Sequence, residues 1–181
     1  MQRAREKRGV DRARRRTLVA LLAIGLALLV RAGHAQVAPS AATIRQAIDA
    51  GAYARADELA TTWVAVVESQ RSSDPLALPR AQDLLVEARV RSGKGAAGAS
   101  LALAEQVLRT KEKLRGASDA ETASSVQNLG LVRVARGELT QAIPLFERAL
   151  TIRRASAGND SPLVADTLDQ LALVLIQLER F

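Results

Sequence analysis

From residue 43 onward, apolar residues recur at spacings of three and four. Val126, Leu129, Gly130 and Val134 fall on one face of a helix near 120–136, and Gly137 stands where a C-terminal glycine ends a helix. Thr140 then offers an N-cap, and Ala142, Leu145, Phe146, Ala149 and Ile152 form the apolar stripe of a second helix near 140–156, with Pro144 placed in its first turn. Residues 158–162 (GNDSP) are turn-forming. Earlier in the chain, Ala56, Leu59, Ala60, Trp63 and Val67 make another stripe, and at this spacing Trp63 reads as a core residue. The pattern predicts seven helices, near 43–50, 53–70, 78–92, 98–115, 120–136, 140–156 and 162–180. Strands favour aromatic and β-branched residues, but the chain has only four aromatics, while Ala (35) and Leu (26) make up a third of it. The predicted class is all-α.

The helices come in pairs that repeat. A shift of 42 residues aligns Ala123 with Ala165, Val126 with Leu168, Leu129 with Leu171, Leu131 with Leu173 and Val132 with Val174. Shifted the other way, Leu145 meets Leu103, Glu147 meets Glu105, Leu150 meets Leu108 and Gly158 meets Gly116. A fixed period of this length is the mark of a solenoid of antiparallel helix pairs. The register is ambiguous across 84–100, where either Gly93 or Gly95 could be the inter-helix glycine.

Asn128-Leu129-Gly130 in the first helix of a pair and residues 142–150 (AIPLFERAL) in the second resemble tetratricopeptide repeats of the kinesin light chain type, and Gln170-Leu171-Ala172 is similar one repeat on. This resemblance is strong over 118–181 and thinner over 43–96. It implies a right-handed solenoid over 43–181 of about three and a half repeats, the last incomplete, and a role in binding a peptide or protein along the concave face. The groove residues it implies are Gln127, Asn128, Leu131, Asp169, Gln170 and Leu173. Amides there suit an extended peptide, offering both donors and acceptors, but they could equally be solvated or pair between helices.

Charge changes the picture at the N-terminus. Residues 1–35 hold nine of the 26 Lys/Arg and two of the 19 Asp/Glu, so they carry the whole net charge of +7, and the 17 positive and 17 negative residues beyond them cancel. That balance argues against a nucleic-acid partner for 36–181. A basic stretch, the apolar run Thr17–Val30, and Gly33 and Ala35 at the −3 and −1 places together spell a secretory signal peptide cut between Ala35 and Gln36. A linker, 36–42, follows. The expected location is periplasmic or secreted, in a bacterial setting. The alternative is an uncleaved inner-membrane anchor through 17–30, although a run of fourteen is short for a span that needs about 20.

The chain has no Cys, and its single His, His34, lies in the signal segment. Residues 36–181 therefore offer no Cys or His nucleophilic machinery and no His or Cys metal ligands. Gly93-Lys94-Gly95-Ala96-Ala97-Gly98 spells a dinucleotide fingerprint, but the residues before it have a helical pattern where that motif needs a strand. Pairs such as Asp57-Glu58 and Asp166/Asp169 read as solvated faces or ion-pair partners. No catalytic residue, cofactor or metal is implied.

The reading is an exported interaction scaffold. The alternative is the recognition arm of a longer exported enzyme, such as one resembling the CHAT-type (caspase-like) peptidases, with its catalytic domain beyond Phe181. Leu171, Leu175, Leu178 and Phe181 are expected to lack a partner helix, which would leave the last helix prone to self-association.

Overall fold

The computed structural model describes residues 39–70 and 72–179. The signal-peptide, cleavage-site and anchor assignments, at 1–36, and Phe181 lie outside these residues. Seven helices are present among the described residues: α1 (Ala41–Asp49), α2 (Tyr53–Gln70), α3 (Ala77–Arg91), α4 (Gly98–Arg115), α5 (Ala120–Ala135), α6 (Leu139–Ala157) and α7 (Pro162–Glu179). No strand occurs among them. Short turns make each helix antiparallel to the next. In addition α1 contacts α3 and α3 contacts α5, so the odd-numbered helices line one side of a solenoid and the even-numbered helices back them.

Local chemistry sets the helix ends. Ser40 caps α1 in a reciprocal box, its Oγ accepting from the Thr43 amide while Thr43 Oγ1 accepts from the Ser40 amide. Asp119 caps α5 by accepting from the Glu121 amide at 2.9 Å. The expected cap at Thr140 does not form: α6 begins one residue earlier, with Glu138 as N-cap and no side-chain cap bond. Glu138 instead accepts from Arg133 and Arg136, which hold its carboxyl below the usual range. The earlier start puts Pro144 in the second turn, where its missing N–H deprives the exposed Thr140 carbonyl of a partner that water can replace.

The ambiguity between Gly93 and Gly95 resolves into two roles. Gly93 has φ +81° and closes α3, with the Lys94 amide donating back to Arg89 O, as the Glu138 amide does to Arg133 O beside Gly137 at φ +76°. Gly95 is buried where a Cβ would stand 2.9 Å from Ala135 Cβ, so it lets the loop pass against α5. The α3–α4 loop is longer than the α5–α6 loop, which displaces the turn glycine from the 42-residue step.

The core is a chain of three apolar clusters. Ile44, Ile48, Ala56, Leu59, Ala60, Leu84, Leu85 and Ala88 form the first, against which half-buried Trp63 packs. Val86, Ala104, Leu108, Val126, Leu129, Val132 and Ala149 form the second, and Ala142, Phe146 and Val174 the third. On α7 the expected exposed face is corrected: Leu171 and Leu178 pack against the Phe146–Val174 cluster. The exposed large apolar residues described there are Leu163, Leu168, Leu173, Leu175 and Ile176. Leu168 is 40% exposed, although its repeat equivalent, Val126, is completely buried.

Candidate functional site

A pocket of about 230 Å³ opens on the side lined by the odd-numbered helices. Arg45 reaches it from α1; Asp83, Leu84, Glu87 and Arg91 from α3; Ser124, Gln127, Asn128 and Leu131 from α5; and Leu163 and Asp166 from α7, with Arg153 entering from α6. Of the groove residues implied by resemblance, Gln127, Asn128 and Leu131 meet here. Asp169, Gln170 and Leu173 lie further along α7 and do not line it; Asp169 and Leu173 are exposed and Gln170 half-buried.

The two amides prove to be inter-helix partners. Asn128, 7% exposed, donates from Nδ2 to Asp83 O at 3.0 Å and to Asp83 Oδ1 at 3.2 Å, tying α5 to α3. Gln127, 6% exposed, donates from Nε2 to Asp166 Oδ2, tying α5 to α7. Both amides thus pair between helices.

Behind the pocket lies a buried charge network. Lys111, on α4, is 2% exposed, and its Nζ sits 2.6 Å from Asp83 Oδ2 and donates to Glu121 O at 3.0 Å. Ser125 Oγ donates to the same Asp83 oxygen at 2.7 Å. Burial pushes the Asp83 carboxyl up, and Lys111, Ser125 and Asn128 oppose this. Glu121 continues outward to Arg80, whose hydrogen bonds lower the Glu121 carboxyl, and Arg80 in turn pairs with Asp74 at 2.7 Å.

The network recurs with the repeat. Arg153 stands 42 residues after Lys111, and its Nη1 donates to Leu163 O at 3.0 Å, the place of Glu121 O one repeat on. The same nitrogen donates to Thr167 Oγ1, which takes the place of Ser125. The place that Asp83 holds beside Lys111 is taken by Ser125 beside Arg153. Asp166 lies 3.9 Å away, and burial lowers the guanidinium pKa.

Sequence reasoning passed over Lys111, Arg153, Asp83, Glu87, Arg45 and Arg91. One signal was available for the first two. Lys111 continues the stripe Ala104, Val107, Leu108, and Arg153 continues Phe146, Ala149, Leu150, so both are cations at core spacing. Asp57, read as solvated or paired, is buried and paired with Lys94. The glycine-rich stretch 93–98 follows helix α3, without the strand a dinucleotide site requires.

The chain is similar to known tetratricopeptide repeat structures. Residues 121–181 match the family described as tetratricopeptide repeat. A Podosopora anserina protein with nearly identical TPR-like repeats superposes with a TM-score of 0.62 at 21% identity, over 73% of this chain and 62% of that one. A single-residue variant of it gives 0.61 at 21% identity, over 73% and 61%. BtubC (BKLC) of P. vanneervenii gives 0.58 at 18% identity, over 74% and 52%. The chain thus spans less than two thirds of each of these proteins. No curated protein sequence matches it. Residues 121–181 carry the tetratricopeptide repeat signature, and the described chain has the fold of a TPR-like helical solenoid.

Proposed function

We propose that this chain is an exported interaction scaffold that holds a peptide or protein segment along the face built from α1, α3, α5 and α7. The observation that carries the reading is the pocket on that face, where charged and amide side chains from four successive first helices meet around open volume. The repeat fold supports it, since a solenoid presents an extended surface rather than the enclosed pocket that acid–base catalysis needs. Exported placement rests on the signal-like order of residues 1–35.

Two measurements test the reading. The full chain, fluorescently labelled, is applied to an array of random nonapeptides and compared with Ser124→Trp, which fills the pocket from an exposed edge. A specific subset of peptides should bind, and Ser124→Trp should weaken them at least about tenfold at an unchanged melting midpoint, roughly 1.4 kcal/mol of binding free energy. Binding indifferent to Ser124→Trp would place the partner elsewhere. For export, mass spectrometry of the protein recovered from cells should show Gln36 as the N-terminus; a chain still beginning at Met1 would speak for an anchor. The exposed Leu168, Leu173, Leu175 and Ile176 on α7 support self-association through that helix, and sedimentation should show concentration-dependent dimers.

A further inference from the structure

Arg153 keeps an unused edge. It stands on α6, is only 6% exposed, and reaches through to line the pocket. Both hydrogens of its Nη1 are engaged, by Leu163 O and Thr167 Oγ1. Nε and Nη2 have no hydrogen-bond partner among the described residues, and neither is closed to solvent. These two nitrogens share one edge of the guanidinium, a planar fork that matches the two oxygens of a carboxylate.

The repeat shows what a cation in this place takes. One step earlier, Lys111 holds the Asp83 carboxylate at 2.6 Å. Beside Arg153 the place of Asp83 belongs to Ser125, whose hydroxyl donates to Asp83 itself. Asp166 comes no closer than 3.9 Å and already accepts from Gln127 Nε2. Burial works against the Arg153 charge, and Asp166 and Glu87 support it only through space.

Two further arginines flank the same volume. Arg91 is exposed and has no ion pair or hydrogen bond among the described residues. Arg45, also exposed, has only a long ion pair with Glu87, at 3.8 Å. Lys111 neutralises Asp83, so the three arginines face two remaining carboxylates, Glu87 and Asp166, and one positive charge is left over. We infer that this pocket receives the side-chain carboxylate of an aspartate or glutamate in the bound segment, held by the Nε–Nη2 edge of Arg153, with Arg91 and Arg45 as further donors at the rim. The ligand thereby supplies to Arg153 what Asp83 supplies to Lys111. The source is a side chain within the segment because the face runs on past the pocket, where Asp169 and Leu173 lie exposed on α7. A segment lying along that face crosses the pocket rather than ending in it.

This inference rests on the face proposed above being the binding face, and the experiment separates the two. The random nonapeptides carry C-terminal amides, so that side chains hold their only carboxylates. Peptides selected by the full chain should share an Asp or Glu at one register position. Replacing that residue by Asn or Gln should weaken binding at least about tenfold for the unmodified chain and by less than about twofold for Arg153→Met. Arg91→Gln, at the exposed rim, should lower the discrimination by about threefold. Arg109→Gln, outside the pocket, should leave it unchanged. Melting curves establish that each variant is folded; should Arg153→Met fail to fold, Arg91→Gln carries the test alone. Selected peptides without a shared acidic position, or with one whose effect is the same in Arg153→Met, Arg91→Gln and the unmodified chain, would overturn the carboxylate pocket while leaving the binding face intact. Binding seen only when the amides are replaced by free C-terminal carboxylates would leave the face standing and overturn the side-chain source. If no peptide of either kind binds, both readings fall.

Discussion

Lys111→Met should lower the unfolding free energy by about 3–5 kcal/mol, the usual consequence of removing one partner of a buried ion pair. Methionine fills the stem's space but leaves the Asp83 carboxylate, buried among α3, α4 and α5, without a counter-charge. Glu121 O loses a donor as well. Urea unfolding followed by circular dichroism measures the loss. Adding Asp83→Asn to Lys111→Met should recover part of it, because the variant then buries no charge and an amide still accepts from Ser125. The deficit should also depend on pH with a definite sign. Burial already pushes the Asp83 carboxyl up, and without Lys111 it rises further. A group whose folded value lies above its unfolded value takes up a proton on folding in the window between them. The deficit of Lys111→Met is therefore full above the raised value and shrinks as pH falls through it. A deficit independent of pH, or absent altogether, would mean that the network is dispensable.

The helical frame was legible because it depends on periodicity. All seven helices lie within about two residues of the spans read from apolar spacing, since each buries a stripe against its neighbours and ends at a glycine, a polar cap or a loop. The exceptions have local causes. Gly93 and Gly95 could not be told apart because one supplies a positive φ and the other a close approach, and both needs select glycine. Thr140 looked like a cap, but Glu138 serves as N-cap, its carboxylate engaged by two arginines. The site was less legible. Resemblance grouped Gln127, Asn128 and Leu131, which do line one pocket, yet whether an amide meets solvent or a neighbouring helix depends on residues some 40 positions away, here Asp83 and Asp166. Apolar periodicity also assigns every charge to the outside. Lys111 and Arg153 become interior only once three helices close around them, and the sign of that is their recurrence 42 residues apart at core spacing.

Phe146→Ala should be equally damaging, by about 3–5 kcal/mol, through the cavity left in the third cluster. Phe146 is completely buried where α6 crosses α5, and the space for its ring exists because Gly130 has no side chain. A Cβ on Gly130 would stand 2.9, 3.0 and 3.2 Å from three carbons of that ring. Gly130→Leu in the unmodified chain should therefore destabilise by about 1–3 kcal/mol through overpacking. The helical propensity gained by losing a glycine, up to about 1 kcal/mol, offsets part of this. The two substitutions should not add. With Phe146 reduced to alanine, the side chain introduced by Gly130→Leu would grow into the vacated volume, and the double variant should be more stable than Phe146→Ala alone. The sign of the Gly130→Leu effect would thus reverse between the two backgrounds, a coupling expected only of residues in direct contact. Urea midpoints of the four proteins decide the matter. Simple additivity would mean that the ring and the glycine do not share one space, and the pairing of α5 with α6 through this contact would have to be abandoned.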